Sequence, residues 1–145
     1  MADLIRVLVV DDSRMFRQHL VDLLEAIEGV EVVGTGADGL DALQHTERLQ
    51  PHVVMIDIQM PVLNGLEATR RLKRAASSAK ILVMTCDEGD EYEAAARAAG
   101  ADGFVKKTDI NIGLERRLEL LAGRGRPEPR AHAERFRVSI ATPHS

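Results

Sequence analysis

Five short apolar runs alternate along this chain with five segments of helical periodicity, and this alternation restricts the fold more than any other feature. The runs are rich in Val, Ile and Leu, and they are too uniformly apolar to leave one face in water. They lie at residues 5–10, 30–33, 53–56, 80–84 and 103–105. Strands that alternate with helices in this way form a parallel sheet with helices on both faces. The sequence therefore predicts an α/β fold with a doubly wound, five-stranded parallel sheet and five helices.

The segments between the strands carry their own helix-end residues. Ser13 or Asp12 is expected to cap the first helix, and Asn64 is expected to cap the third. The fourth helix is expected at 91–99, in an alanine-rich stretch, and the fifth at 110–121. Because alanine side chains offer little bulk, the fourth helix is a candidate for an element that moves, although high helix propensity alone explains the alanines equally well.

The chain of 145 residues is long enough for one domain, which we expect over residues 1–122. Residues 123–145 form a basic tail or linker that contains Gly and Pro, with five Arg and two Glu. The tail charge is therefore 5 − 2 = +3, and the net charge of −4 leaves −4 − 3 = −7 for the domain. Most of the tail is expected to be disordered, although Phe136, Val138 and Ile140 alternate and would allow one short strand.

Charge and cysteine content narrow the class of protein. A net charge of −4 argues against a dedicated nucleic-acid binder, so we expect no direct nucleic-acid contact. Cys86 is the only cysteine, which rules out an intrachain disulfide and a cysteine-based zinc site. The apolar run at 4–10 is too short for a signal sequence or a membrane span, so a cytoplasmic protein is expected.

Three carboxylates follow two of the predicted strands. Asp11 and Asp12 come directly after the first strand, and Asp57 ends the third. If these strands are neighbours, as in the flavodoxin-like order 2-1-3-4-5, the three acids converge at the carboxyl edge of the sheet. Clustered carboxylates repel one another, and a bound cation removes that conflict. Oxygen ligands at a solvated rim favour Mg²⁺.

An aspartate beside a divalent metal is able to act as a nucleophile toward phosphorus. Charge that develops on the phosphoryl oxygens then needs a cation and hydrogen-bond donors. Lys106 and Lys107 follow the fifth strand, and Thr85 ends the fourth. Each of these residues alone is common at a strand end, and their placement at one rim is the informative feature.

Five motifs in this order resemble the receiver domain of two-component response regulators over residues 5–121. The motifs are VLVVDDS, ADGLDAL, VVMIDIQMPVLNG, ILVMTC and GADGFVKK. The resemblance implies that a sensor histidine kinase or a phosphotransfer protein donates a phosphoryl group to the domain. It also implies a downstream protein target or output domain and a phosphorylation-dependent dimer. The domain would then be a signalling phosphoacceptor and not an enzyme acting on other substrates.

The resemblance also assigns the acceptor and the metal ligands. Asp57 is the phosphoacceptor, and it binds Mg²⁺ together with Asp11, Asp12 and the main-chain carbonyl of Gln59. Pro61 and Gly65 shape the loop beside the acceptor. Gln59 and Asp87 occupy positions that tune the lifetime of the phosphoryl group in this family.

Three further roles follow from the resemblance. Thr85 hydrogen-bonds the phosphoryl group, and Phe104 is the switch ring that turns inward when the site is phosphorylated. The functional lysine lies three residues after this aromatic, which makes it Lys107 and not Lys106. Cys86 departs from the small residue that usually follows the switch threonine, and Phe104 lacks the hydroxyl of the more frequent tyrosine.

Other functions compete with this interpretation. Gly34, Gly36 and Gly39 form a G-x-G-x-x-G pattern, and Asp57 lies about 20 residues further on, as in a dinucleotide-binding domain. That alternative leaves Asp11, Asp12, Thr85 and Lys107 without a role. A metal-dependent phosphatase would also use a nucleophilic aspartate, but it needs a substrate pocket and usually a cap. The tail holds too little apolar periodicity for a helix-turn-helix domain, so we expect a stand-alone receiver or the amino-terminal part of a longer regulator.

Overall fold

The computed structural model of the chain describes residues 3–75, 77–86 and 90–124, and its centre is a five-stranded parallel sheet. The strands are β1 (Ile5–Val10), β2 (Val30–Gly36), β3 (Val53–Asp57), β4 (Lys80–Thr85) and β5 (Gly103–Lys106). Their order across the sheet is β2-β1-β3-β4-β5, and every neighbouring pair is parallel. This confirms the predicted flavodoxin-like order and brings the ends of β1 and β3 together.

Five α-helices connect and cover these strands. They are α1 (Arg14–Glu25), α2 (Gly39–Leu49), α3 (Gly65–Arg74), α4 (Asp90–Ala98) and α5 (Leu114–Leu121). Ser13 caps α1 by accepting a hydrogen bond from Phe16 N, and Asn64 caps α3 by accepting one from Glu67 N. These caps satisfy main-chain donors that the helices themselves leave free.

The strands bury alternate residues on opposite faces, which explains why their sequences are apolar throughout. One face packs against α2, α3 and α4, and the other packs against α1 and α5. In β3, Val54 and Ile56 belong to the first core, whereas Val53 and Met55 belong to the second. All five residues of β3 are buried, Asp57 included.

Two element boundaries differ from those predicted by three residues or more. The last helix begins at Leu114 and not at 110, because a 3₁₀ turn at Lys107–Asp109 and a left-handed Gly113 (φ +66°) precede it. Ile110 is buried in a turn, and its burial made it look like part of the helix. Strand β2 extends to Gly36 instead of ending at 33, because Gly34 and Gly36 pair with β1 beyond a bulge.

Some of the predicted features lie outside the described residues. These are Asp87 and the tail from residue 125, which includes Phe136, Val138 and Ile140. At the last described position, the Arg124 guanidinium donates hydrogen bonds to the main-chain carbonyls of Asp3 and Leu4. Across the ranges that the structure describes, no helix combines the length and apolar character needed to cross a membrane.

Candidate functional site

The three predicted carboxylates converge at the carboxyl edge of the sheet. Strand β1 pairs with β3 up to Val10 and Ile56, so that Asp11, Asp12 and Asp57 follow side by side. One carboxylate oxygen from each acid lies within 4.8 Å of the others. Asp11 is fully buried and Asp57 is 5% exposed, whereas Asp12 faces solvent. Such a cluster of hard oxygen donors, open on one side, fits Mg²⁺.

Asp11 is held in place from several directions. Its main-chain N–H donates to the carbonyl of Gly36 at 3.0 Å, and its Oδ1 accepts from the N–H of Ser13 at 2.8 Å. Its main-chain carbonyl accepts from the Arg17 guanidinium at 2.7 Å. The start of α1 therefore fixes the carboxylate cluster to the sheet.

Lys107 is the lysine that contacts the acids. Its Nζ lies 2.6 Å from Asp11 Oδ2 and 3.5 Å from Asp57 Oδ1, and its side chain is only 10% exposed. The contact with Asp11 is an ion pair and not a hydrogen bond of regular geometry. The ammonium also lies 4.3 Å from the centroid of the Phe16 ring. The 3₁₀ turn after β5 thus brings a cation against both buried carboxylates.

Burial and neighbouring charges have opposing effects on the pKa values of Asp57 and Lys107. Burial raises the pKa of the Asp57 carboxyl to about 6, Lys107 opposes this rise, and the neighbouring Asp11 and Asp12 reinforce it. Burial lowers the pKa of Lys107, but the contact with Asp11 and the charge of Asp57 outweigh burial and hold it above its ordinary value. At neutral pH this balance leaves Asp57 mostly ionised beside a charged lysine.

The residues expected to act as a switch lie on the two neighbouring strands. Thr85 ends β4, is 1% exposed, and pairs with Lys106 of β5. Asp57 pairs with Met84, so Thr85 lies one position beyond the acid along the same rim. Phe104 is 1% exposed, and its ring is already buried in the core under α4. Cys86 follows Thr85 and is exposed.

The loop from β3 to α3 passes close behind the acid. A Cβ on Gly65 would lie 2.0 Å from the carbonyl oxygen of Asp57, so only glycine fits there. The Gly65 N–H donates to the carbonyl of Ile58 at 2.8 Å. Gln59 is exposed at the start of this loop, two residues after the acid. The loop is therefore anchored to the end of β3 itself.

Val62 lies in the same loop in a strained conformation. Its φ is +68°, and the N–H of Leu63 donates across it to the carbonyl of Pro61 at 2.7 Å. Its side chain is 77% exposed. A three-residue turn of this hand is rare, and a positive φ is energetically unfavourable for a β-branched residue.

Val62→Asn is expected to raise the free energy of unfolding by about 1 kcal/mol, because asparagine tolerates a positive φ and no buried contact is lost. Urea unfolding checks the value. Val62→Thr keeps the branched side chain and is expected to leave stability unchanged. Equal gains in both variants would show that the strain at this position is not the cause.

The glycine pattern of the dinucleotide alternative has a different purpose in the structure. Gly34 and Gly36 are strand residues of β2, an edge strand, and do not form a phosphate-binding turn. A Cβ on Gly34 would lie 2.8 Å from Leu49 Cδ1, and one on Gly39 would lie 2.1 Å from the carbonyl oxygen of Leu63. These glycines allow close packing of α2, and the structure does not support the dinucleotide interpretation.

Sequence reasoning missed two residues at this site. Arg17 and Phe16 both lie in the first turns of α1, where they contact Asp11 and Lys107 respectively. The spacing of Ser13 and Arg17 places the arginine one helical turn after the cap, over the strand end. That spacing was the one available indication, and a helix arginine near a cap is more often solvent-facing.

The fold and the acid cluster define a doubly wound α/β domain whose chemistry lies at the carboxyl edge of its sheet. The model of the response regulator receiver domain matches residues 7–116, and the chain belongs to this family. It is 39% identical over 118 residues to the response regulator GacA of Pseudomonas aeruginosa, which covers 81% of this chain and 54% of GacA. It is 43% identical over 117 residues to protein-glutamate methylesterase/protein-glutamine glutaminase 5 of Myxococcus xanthus, covering 80% of this chain and 33% of that protein.

Solved structures agree with this assignment. The response regulator domain of Thermotoga maritima CheB superposes with a TM-score of 0.76 at 30% identity, over 83% of this chain and 97% of that one. A two-component response regulator of the LuxR family from Aurantimonas gives a TM-score of 0.78 at 28% identity, over 94% and 97% of the two chains. The chain thus spans about half the length of GacA and a third of the methylesterase, and its family is that of a signalling phosphoacceptor domain.

Proposed function

We propose that this receiver domain accepts a phosphoryl group on Asp57 in an Mg²⁺-dependent reaction. The donor is a sensor histidine kinase or a histidine phosphotransfer protein. The observation that carries the proposal is the convergence of three carboxylates and Lys107 at one strand edge, with one oxygen of each acid within 4.8 Å of the others. Family membership supports the same chemistry.

Asp57 is the nucleophile of this reaction. One carboxylate oxygen attacks phosphorus, the P–N bond of the phosphohistidine breaks with its electron pair going to the imidazole nitrogen, and an acyl phosphate forms. The attacking group must be ionised, and a pKa of about 6 meets this requirement at neutral pH. The same pKa keeps the carboxylate more basic than an exposed aspartate, which favours attack.

The residues present fit a divalent cation. Asp11, Asp12, Asp57 and the main-chain carbonyl of Gln59 would hold Mg²⁺, which supplies positive charge to the phosphoryl oxygens when it is bound. Asp11 Oδ2 supports this assignment, because it is buried and has no hydrogen bond of regular geometry in the described part of the chain. Its ion pair with Lys107 supports the same assignment, because the oxygen already lies beside a positive charge.

Lys107 and Thr85 act on the transferred group from the neighbouring strands. The Lys107 ammonium already lies 3.5 Å from Asp57 and is placed to neutralise a phosphoryl oxygen. Thr85 directly follows Met84, the residue that pairs with Asp57. Its hydroxyl would donate a hydrogen bond to another oxygen of the phosphoryl group. Because both contacts require one arrangement of their loops, phosphorylation increases the population of that arrangement.

Helix α4 is the element best placed to respond. Ala96 is the one residue of α4 that is fully buried, and Tyr92 packs half-buried against the same core, so the helix buries little of its side-chain surface against the sheet. Phe104, the proposed switch residue, packs in the same core as Ala96. We infer that the loop after Thr85 and α4 transmit the change to a downstream protein target, an output domain or a second copy of the chain.

The boundary between the receiver domain and the tail is the next part of the proposal. We propose that residues 1–122 form the domain and that 123–145 serve as a basic tail or linker. The Arg124 contacts with Asp3 and Leu4 support a boundary there, because they bring the end of α5 to the beginning of β1. We assign direct nucleic-acid contact and methylesterase activity to neither segment, and we expect the domain to work in the cytoplasm.

A small phosphodonor such as acetyl phosphate, with Mg²⁺, is expected to add one phosphoryl group to the wild-type chain. Intact-mass spectrometry measures the gain, and hydroxylamine should remove it because acyl phosphates are labile to this nucleophile. Asp57→Asn is expected to gain nothing. Asp22→Asn, which alters an exposed acid on α1, serves as the matched control and should label like wild type. Labelling of Asp57→Asn equal to that of wild type would overturn the assignment.

A further inference from the structure

Arg17 reaches from α1 to the loop that carries Asp11 and Asp12, and within the described part of the chain it contacts no carboxylate oxygen. Its Nη1 donates a 2.7 Å hydrogen bond to the main-chain carbonyl of Asp11, and the side chain is half-buried. The carbonyl itself belongs to a fully buried residue. A guanidinium used in this way restrains the main chain and leaves the acidic oxygens for other partners.

The restrained carbonyl belongs to the peptide unit that joins Asp11 to Asp12. A peptide unit is planar and rigid, so fixing its carbonyl also fixes its N–H and the direction in which the next Cα leaves. Asp12 is the exposed acid of the cluster, and the core does not enclose it as it encloses Asp11. The hydrogen bond from Arg17 therefore restrains the one acid of the three that burial does not hold.

We propose that Arg17 is a positioning residue for the divalent cation, which it serves by orienting the Asp11–Asp12 peptide. The inference rests on the proposed function, since it concerns the same Mg²⁺ site. Groups that orient metal ligands from behind are worth about tenfold or more in metal affinity. Loss of Arg17 should accordingly weaken Mg²⁺ binding by roughly tenfold.

The sign of this effect separates positioning from simple electrostatics. Arg17 carries a positive charge near a cation site, so its removal would strengthen Mg²⁺ binding if charge alone mattered. Positioning predicts the opposite. Arg14 provides the matched control, because it lies exposed in the first turn of the same helix and carries the same charge.

Calorimetric titration with Mg²⁺ alone measures the dissociation constant, which suits a chain that has no tryptophan. Arg17→Met is expected to raise this constant roughly tenfold, whereas Arg14→Met leaves it unchanged or lowers it. Arg17→Lys keeps one donor and is expected to regain part of the affinity. An Arg17→Met protein that binds Mg²⁺ as tightly as wild type, or more tightly, would overturn the proposal.

A second measurement distinguishes positioning from general damage to the fold. In labelling with acetyl phosphate, Arg17→Met should need more Mg²⁺ for half-maximal rate but should reach the wild-type rate at saturating Mg²⁺. A lower rate at saturation, with unchanged Mg²⁺ dependence, would contradict a role exercised through the metal. If wild type itself bound no Mg²⁺, the proposed function would fail as well, whereas normal binding by both proteins would remove only the role of Arg17.

Discussion

Lys107→Met is expected to lower the free energy of unfolding of the metal-free protein by about 3 kcal/mol at pH 7. Lys107 lies 2.6 Å from Asp11 and 3.5 Å from Asp57, and both acids are buried. Methionine preserves the length of the side chain but leaves two neighbouring carboxylates without their cation. Removing one partner of a buried ion pair is costly because the remaining charge is neither hydrated nor paired.

Urea unfolding in the presence of a chelator measures this loss. Added Mg²⁺ should restore more stability to Lys107→Met than to wild type, since the ion supplies the missing positive charge. Lys106→Met is the matched control, because it removes the same charge one residue earlier, from a half-buried position at the end of β5. Equal losses in the two variants would show that the contact with Asp11 and Asp57 is not what Lys107 contributes.

The course of the main chain around the site could be predicted because each strand is buried on both faces. Where strands and helices alternate, a short apolar run such as Val53–Ile56 is interpreted as a buried parallel strand. The carboxyl end of that strand then gives the position of Asp57. The same reasoning failed at Ile110, where burial occurs in a turn and not in a helix. Apolar residues report burial, and they report the type of element only through their spacing over several turns.

Several side-chain contacts at the site join residues that are far apart in the sequence, and a local sequence pattern does not predict such contacts. Phe16 meets Lys107 across about ninety residues because α1 and the turn after β5 lie on the same side of the sheet. In the sequence, Arg17 resembles an ordinary exposed residue of an amphipathic helix. In the structure it contacts the Asp11 carbonyl, because β1 ends next to it. Val62 is equally hidden, because valine in a sequence favours extended backbone and gives no indication of a positive φ.

The elevated pKa of Asp57 likewise arises from the assembled fold. The sequence predicts that clustered acids repel, but the largest cause of the shift is burial, and Lys107 opposes it. The pKa of Asp57 is 3.8 in the unfolded chain and about 6 in the folded protein. The native state therefore keeps its proton up to a higher pH than the unfolded state does. The stability of wild type therefore falls as pH rises through this interval, because the unfolded state ionises first.

Asp57→Asn is accordingly expected to raise the free energy of unfolding of the metal-free protein at pH 7 by up to about 3 kcal/mol, which corresponds to a shift of roughly two pKa units. The gain should shrink as the pH falls and be small near pH 4, because the native carboxyl is then protonated and the unfolded carboxyl, with a pKa of 3.8, is beginning to be. Urea unfolding with a chelator at several pH values between 4 and 7 provides the measurement.

The pH dependence separates ionisation of Asp57 from a change in packing. Asp22→Asn alters an exposed acid and should shift stability little at either end of the range. A gain in Asp57→Asn that is the same at pH 4 and pH 7 would assign the effect to packing and contradict the elevated pKa. Added Mg²⁺ should reverse the order of stability at pH 7, since the ion binds the Asp57 carboxylate better than an amide and stabilises wild type more. The same buried charge that weakens the metal-free fold would then be the charge that binds the metal and attacks phosphorus.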